Sequence, residues 1–158
     1  MKKQTLLALV DYFEKELQIL IQSAKSAHEA STHEESRAED RHDTFAIEAS
    51  YLAAGQSERV KSIRKTLLEL NHFLESSTQA FSRALPGALV LLECDGKQTY
   101  SFLCISGGGA QVKIEGKMVT LISTLSPLGE QLQGLSAGDV FTLENKLESK
   151  DYQVLSVY

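Results

Sequence analysis

Hydrophobic positions in the first half of the chain recur in alternating steps of four and three. Leu6, Val10, Phe13, Leu17, Leu20, Ala24 and Ala27 form one such run, closer to a 3.5- than to a 3.6-residue period, as in a coiled-coil seam. Ala46, Ala49, Ala53, Gln56, Val60, Ile63, Leu67, Leu70 and Leu74 form a second run with the same alternation. Side-chain size falls along the first run and rises along the second, so a chain folded back near residues 36–40 brings alanine beside alanine and leucine beside leucine. The pattern predicts an antiparallel helical hairpin. At ~1.5 Å rise per residue, arms of about 30 residues reach roughly 40–50 Å. Two helices alone bury little surface, so a bulky base and a slim, alanine-lined far end predict a rod held at its base by something else.

Between the two seams, Ser31 to Thr44 holds five carboxylates against two arginines and contains neither Gly nor Pro. The tip, about residues 33–43, is therefore expected as an acidic loop or frayed helix end, with Asp43 or Thr44 able to cap the second helix. Further along, Glu58 to Lys65 reverses sign through Arg59, Lys61, Arg64 and Lys65. A solvated helix face with i,i+4 ion pairs accounts for such a segment, and a contact with RNA or another acidic surface is the functional alternative.

The second half has a different pattern. Residues 1–86 contain one glycine, Gly55, whereas 87–158 contain nine, and the change falls at Leu85-Pro86-Gly87. We divide the chain into a helical unit at 1–84 and a β-rich unit at 85–158. Strands are predicted at 88–93, 98–105, 110–114, 119–122, 140–143 and 152–157, with turns at Asp95-Gly96, Gly107-Gly108-Gly109 and Glu115-Gly116. Ser126 as cap, Pro127 at the first position, Leu128 and Leu132 on one face and Gly134 at the end predict one short helix. The expected class is α+β: a helical hairpin followed by a small antiparallel sheet domain with one helix. Gly107–Gly109 lacks the Lys-Ser/Thr of a phosphate loop and opens no helix, so it is read as a hairpin turn.

Charge and chemistry narrow the functions. With 16 basic and 21 acidic side chains the net charge is −5, which excludes a dedicated duplex-DNA binder. No apolar run approaches a membrane span, and Asp11, Glu14 and Glu16 break the only stretch resembling a signal peptide, so a cytoplasmic location is expected. The two cysteines, Cys94 and Cys104, both fall in predicted strands and read as small buried hydrophobes. All four histidines, 28, 33, 42 and 72, lie in the helical half, leaving the β half without a base for Ser-His-Asp chemistry.

The run Ser126-Pro127-Leu128-Gly129-Glu130-Gln131-Leu132-Gln133-Gly134-Leu135-Ser136-Ala137-Gly138-Asp139 resembles the signature of the bacterial Gre transcript-cleavage factors. Residues 43–56 are similar to a divergent branch of that family. The resemblance implies an FKBP-like fold for the C-terminal unit and RNA polymerase as partner, with Ser126, Pro127, Leu128 and Gly129 in the docking region. It further implies a hairpin that enters the polymerase secondary channel, where tip carboxylates help hold a Mg²⁺ shared with the polymerase active site. Cleavage of backtracked RNA is then the polymerase's own activity, and the factor is no enzyme and stably binds no metal or cofactor of its own; nascent RNA is contacted indirectly.

The family's tip pairs an Asp with a Glu three residues on. The matching spacing here is Asp40-Arg41-His42-Asp43, with Glu39 as auxiliary, and the second carboxylate is one methylene shorter. A channel-docked regulator or inhibitor without cleavage activity is therefore the alternative. Two other readings are weaker: prolyl isomerase activity, from the implied fold alone, and a tip zinc site using His28, His33 and His42, whose spacing is irregular.

Overall fold

The computed structural model describes the backbone of residues 1–32, 42–144 and 148–158, and the side chains of residues 1–26, 55–144 and 148–158. Two long helices come first, α1 (Lys2–Thr32) and α2 (His42–Glu75). Six strands follow, β1 (Leu89–Cys94), β2 (Lys97–Cys104), β3 (Gln111–Ile114), β4 (Lys117–Ser123), β5 (Val140–Glu144) and β6 (Ser149–Val157), with the short helix α3 (Pro127–Leu132) between β4 and β5. The α+β arrangement of a helical hairpin ahead of a sheet with one short helix is as the sequence predicts.

The hairpin arms run antiparallel, because Glu16 of α1 meets Arg59 of α2 while Leu6 shares a core with Leu70. Of the predicted seams, Leu6, Phe13, Ile63 and Leu70 are buried, and Val10, Leu17, Leu20, Val60, Leu67 and Leu74 are partly so. The side chains of Ala27, Ala46, Ala49 and Ala53 lie outside the described residues. Thr5, Leu9 and Thr66 are buried as well, off the seam. The reason is that the base of the hairpin faces two neighbours, the other helix and the sheet, so a wider stripe of each helix leaves water. Asp43 and Thr44 lie within α2 rather than before it.

The strands lie in the order β3-β4-β2-β1-β6-β5. Four pairings are antiparallel, but β2 and β4 run parallel, Tyr100 opposite Val119 through Cys104 opposite Ser123. This corrects the reading of Gly107–Gly109. The run is no hairpin turn, because β2 and β3 are not neighbours; it carries the chain past the slot that β4 fills. Gly107 has φ +76, and a Cβ there would meet Thr66 Cγ2 at 2.8 Å, so a side chain would push α2 off the sheet. Asp95-Gly96 and Glu115-Gly116 do turn hairpins, with both residues of each pair at positive φ as a type I′ turn requires.

Alternation along the strands splits the core in two. Leu89, Phe102, Val112, Val119 and Leu121 point to the hairpin and form one cluster with Leu6, Leu9, Phe13, Ile63 and Leu70. Val90, Leu92, Leu103, Phe141 and Val154 point the other way and pack with Leu132 of α3. The layers are therefore hairpin base, sheet, α3. Among the described side chains of α1, Phe13 is the last buried one in this core, and about 28 Å of helix continues beyond it to Thr32.

Truncating a residue at the hairpin–sheet contact should cost far more than truncating its exposed neighbour. Leu70→Ala is expected to destabilise by about 2–5 kcal/mol in denaturant unfolding. Leu68→Ala, at a position 74% exposed, should stay within about 0.5 kcal/mol.

Candidate functional site

The residues singled out by sequence fall in three places. Glu39 and Asp40 lie outside the described residues, as does the side chain of Asp43. Arg59, Lys61, Arg64 and Lys65 are on α2. Ser126 to Gly129 open α3.

Helix α3 is seated by its first turn. The Ser126 hydroxyl accepts from the Gly129 N–H at 3.1 Å and donates to the Ser123 carbonyl at 2.6 Å, closing the cap onto the end of β4. Pro127 occupies the first turn, where its missing N–H costs nothing. Gly129 is buried, and a Cβ there would lie 2.0 Å from the Ser123 carbonyl oxygen, closer than any real contact. Ser126 and Gly129 thus serve the fold directly. Pro127 is exposed and Leu128 half-buried. Asp139, at the end of the recognisable run, accepts from the Ser136 N–H at 2.8 Å and shapes the turn into β5.

The four basic residues do not form one patch. Arg59 pairs with Glu16 at 2.5 Å and binds α2 to α1, and that hydrogen bond, with the Glu16 charge, raises the guanidinium pKa. Lys61 pairs with Glu58 at 2.6 Å, both largely exposed, an ion pair worth little. Lys61 and Lys65 border a groove of about 380 Å³ where α2 meets the sheet, together with Ser62, Ile105, Ser123 and Leu125. The basic segment and the residues preceding α3 therefore meet at one junction, and Arg59 faces away toward α1.

Two participants in this junction escaped the sequence reading. Leu125 is 75% exposed beside Ser126. Its signal was present: an apolar residue just before a helix cap normally packs on the fourth helical residue, which here is Glu130 and offers no such partner. Glu69 of α2 is the other. Its carboxylate accepts from the Ile105 N–H, from the Ser106 N–H at 2.8 Å and from the Ser106 hydroxyl at 2.5 Å. Hydrogen bonds to an ionised acceptor are each worth about 1.5–3 kcal/mol. Nothing local in the sequence marks Glu69, because its partners lie 36 and 37 residues away.

Beside this carboxylate, the buried Cys104 thiol is pushed up to about 12, by burial first and by the Glu69 charge second. Among the described residues no group of three or more His, Cys, Asp and Glu is placed to hold a metal ion, and no described helix is long and apolar enough to cross a membrane.

The geometry defines a class of molecule: a two-helix stalk fixed by its base to a mixed sheet, with a capped helix and a small groove at the junction. No protein-family model matches the chain, and no curated protein matches it. Among solved structures, it is similar to Gfh1 of Thermus aquaticus, at 18% identity over 94% of this chain and 92% of that one, with a TM-score of 0.38. It is also similar to a structure described as the transcription factor Gfh1, at 19% identity over 96% and 94%, TM-score 0.38. The GreA factor homolog 1 (Gfh1) of Thermus thermophilus gives 16% over 99% and 94%, TM-score 0.36. These neighbours are Gre-factor homologues by description, the family that the run from Ser126 to Asp139 resembles. At this identity and TM-score the likeness carries no functional information of its own.

Two outcomes follow for the junction. Gly129→Ala should lower the unfolding midpoint sharply, read by thermal melting, because the backbone it strikes cannot yield. Cys104 should impose a pH dependence: above about 9 the unfolded thiol ionises while the folded one holds its proton, so stability falls as pH rises toward 12, by up to about 1.4 kcal/mol per pH unit. Denaturant unfolding of Cys104→Ala at pH 8 and pH 10 should show a shallower loss than wild type.

Proposed function

We propose that this chain is a Gre-type factor of RNA polymerase that works in the cytoplasm. The unit at 85–158 docks on the enzyme and the unit at 1–84 carries its acidic end into the secondary channel. The observation that supports this best is mechanical. Among the described residues the hairpin packs on the sheet by its base, through Leu6, Leu9, Phe13, Ile63 and Leu70, while both helices continue toward the acidic segment that joins them. A carboxylate that must act inside another protein needs a long, thin carrier with a fixed root, and the fold has that form.

Asp40 and Asp43, with Glu39 as auxiliary, are the residues assigned to the tip. Their oxygen donors suit Mg²⁺, which prefers a few carboxylates together with phosphate oxygens and water. When bound between polymerase and factor, such an ion can activate water or stabilise a leaving oxygen. The chain itself contributes negative charge and reach, and RNA hydrolysis remains the polymerase's activity. A second reading, occlusion of the channel without cleavage, draws on the shortened side chain at Asp43 and on Arg41 and His42 between the two aspartates.

Co-purification with RNA polymerase, followed by a cleavage assay on stalled, backtracked complexes, tests both readings. The expected result is faster release of short 3′ RNA fragments with wild type, and background release with Asp40→Ala/Asp43→Ala at unchanged affinity. Equal behaviour of the two proteins, with RNA synthesis blocked by both, would replace cleavage by occlusion. Absence of binding would remove the polymerase reading altogether.

A further inference from the structure

Apolar contact holds the hairpin base to the sheet but does not by itself fix its direction, because burial is rewarded whatever the angle. Hydrogen bonds are directional. At the described junction, the carboxylate of Glu69 on α2 accepts three of them from the segment after β2: one from the Ile105 N–H and two from the N–H and hydroxyl of Ser106. The same segment is tied onward. The Ser123 hydroxyl donates to the Ile105 carbonyl at 3.0 Å and accepts from the Leu125 N–H at 3.2 Å. The Ser123 carbonyl in turn accepts from Ser126, whose hydroxyl caps α3 at Gly129. An unbroken hydrogen-bonded chain therefore runs from the base of the stalk, near the C-terminal end of α2, to the first turn of α3. Gly107 closes the approach on the next residue, in contact with Thr66 one turn earlier on α2.

We propose that Glu69 is a positioning residue: its carboxylate, acting through Ser123, sets the direction of the helical stalk relative to the Ser126–Gly129 segment, so that stalk and docking segment move as one body. The proposal rests on the reading of that segment as a polymerase-docking region. A carboxylate suits the task because both its oxygens accept, matching three donors. Glutamine would turn an NH₂ toward one of them, and aspartate falls one methylene short.

The test has two arms. In the isolated protein, spin labels are attached through a non-natural ketone side chain at Gln22 and Lys113, both exposed, and their separation is measured by double electron–electron resonance. Wild type should give one narrow distance distribution, and Glu69→Gln and Glu69→Ala should broaden it while circular dichroism stays unchanged. Ser106→Ala, which keeps both N–H bonds, should leave it narrow. With RNA polymerase, Glu69→Gln should bind as wild type does but lose its effect on cleavage or synthesis by roughly tenfold, the equivalent of one charge-assisted hydrogen bond.

A distribution in Glu69→Ala as narrow as in wild type overturns the proposal whatever polymerase does. So does a broadened distribution with full effect on transcription, or a loss of binding that matches the loss of effect. If the Glu69 variants do not fold, Ser123→Ala carries the test, with retained binding and reduced effect expected and an unchanged effect contradicting it. Failure of wild type to bind polymerase, with the distance arm as predicted, overturns the docking reading and with it the functional half of this proposal, and leaves the geometric half standing.

Discussion

The contact between the hairpin base and one face of the sheet is the constraint on which everything else depends. Two antiparallel helices share one narrow seam and are marginal alone. Leu6, Leu9 and Leu70 reach full burial because Leu89, Phe102, Val119 and Leu121 close over them from the sheet. The dependence is mutual. Without the hairpin, a sheet whose other side is already committed to α3 would expose a row of large apolar side chains to water. Both units thus complete one another, and the result is a stalk with a fixed root.

That root explains where chain flexibility is permitted and where it is not. Gly87, at φ +91, brings the start of β1 within contact of Phe73, whose ring meets Phe102 edge-on at 6.0 Å. Gly107 and Gly129 lie against Thr66 and the Ser123 backbone. In each case glycine is present for close approach rather than for mobility: Gly87 and Gly107 lie at the joint between stalk and sheet, and Gly129 seats α3 on the end of β4. Lys2 adds a further tie, donating to the Gln79 carbonyl at 2.9 Å and lying over the Phe81 ring, so the first turn of α1 is held to the segment that leads into the sheet.

Much of this was legible in the sequence because local chemistry and tertiary structure agreed. The 3.5-residue alternation gave the two helices, the opposite order of side-chain sizes along them gave their antiparallel sense, the two type I′ dipeptides gave two hairpins, and Ser126-Pro127 gave the start of α3. What was not legible depends on partners distant in the chain. The parallel β2–β4 pairing left no local mark, and three glycines in a row look the same whether they turn a hairpin or pass a strand. Burial of Leu9 and Thr66 requires knowing that the sheet lies beside the helices. Glu69 reads as one more surface acid until the loop after β2 is set against it. Of the candidate site, the capping role of Ser126 and the close packing of Gly129 are structural, and the exposed chemistry at the junction belongs to Leu125, Ile105, Lys61 and Lys65.

The central claim is that a stalk with a fixed root delivers acid into the interior of another protein. A photo-reactive amino acid at position 40, in complex with RNA polymerase, measures this directly by the site of its crosslinks. The account predicts crosslinks to the catalytic region and to the 3′ end of the RNA from position 40, and only to the outer surface of the enzyme from position 113 on β3. Crosslinks from position 40 confined to the outer surface would contradict it.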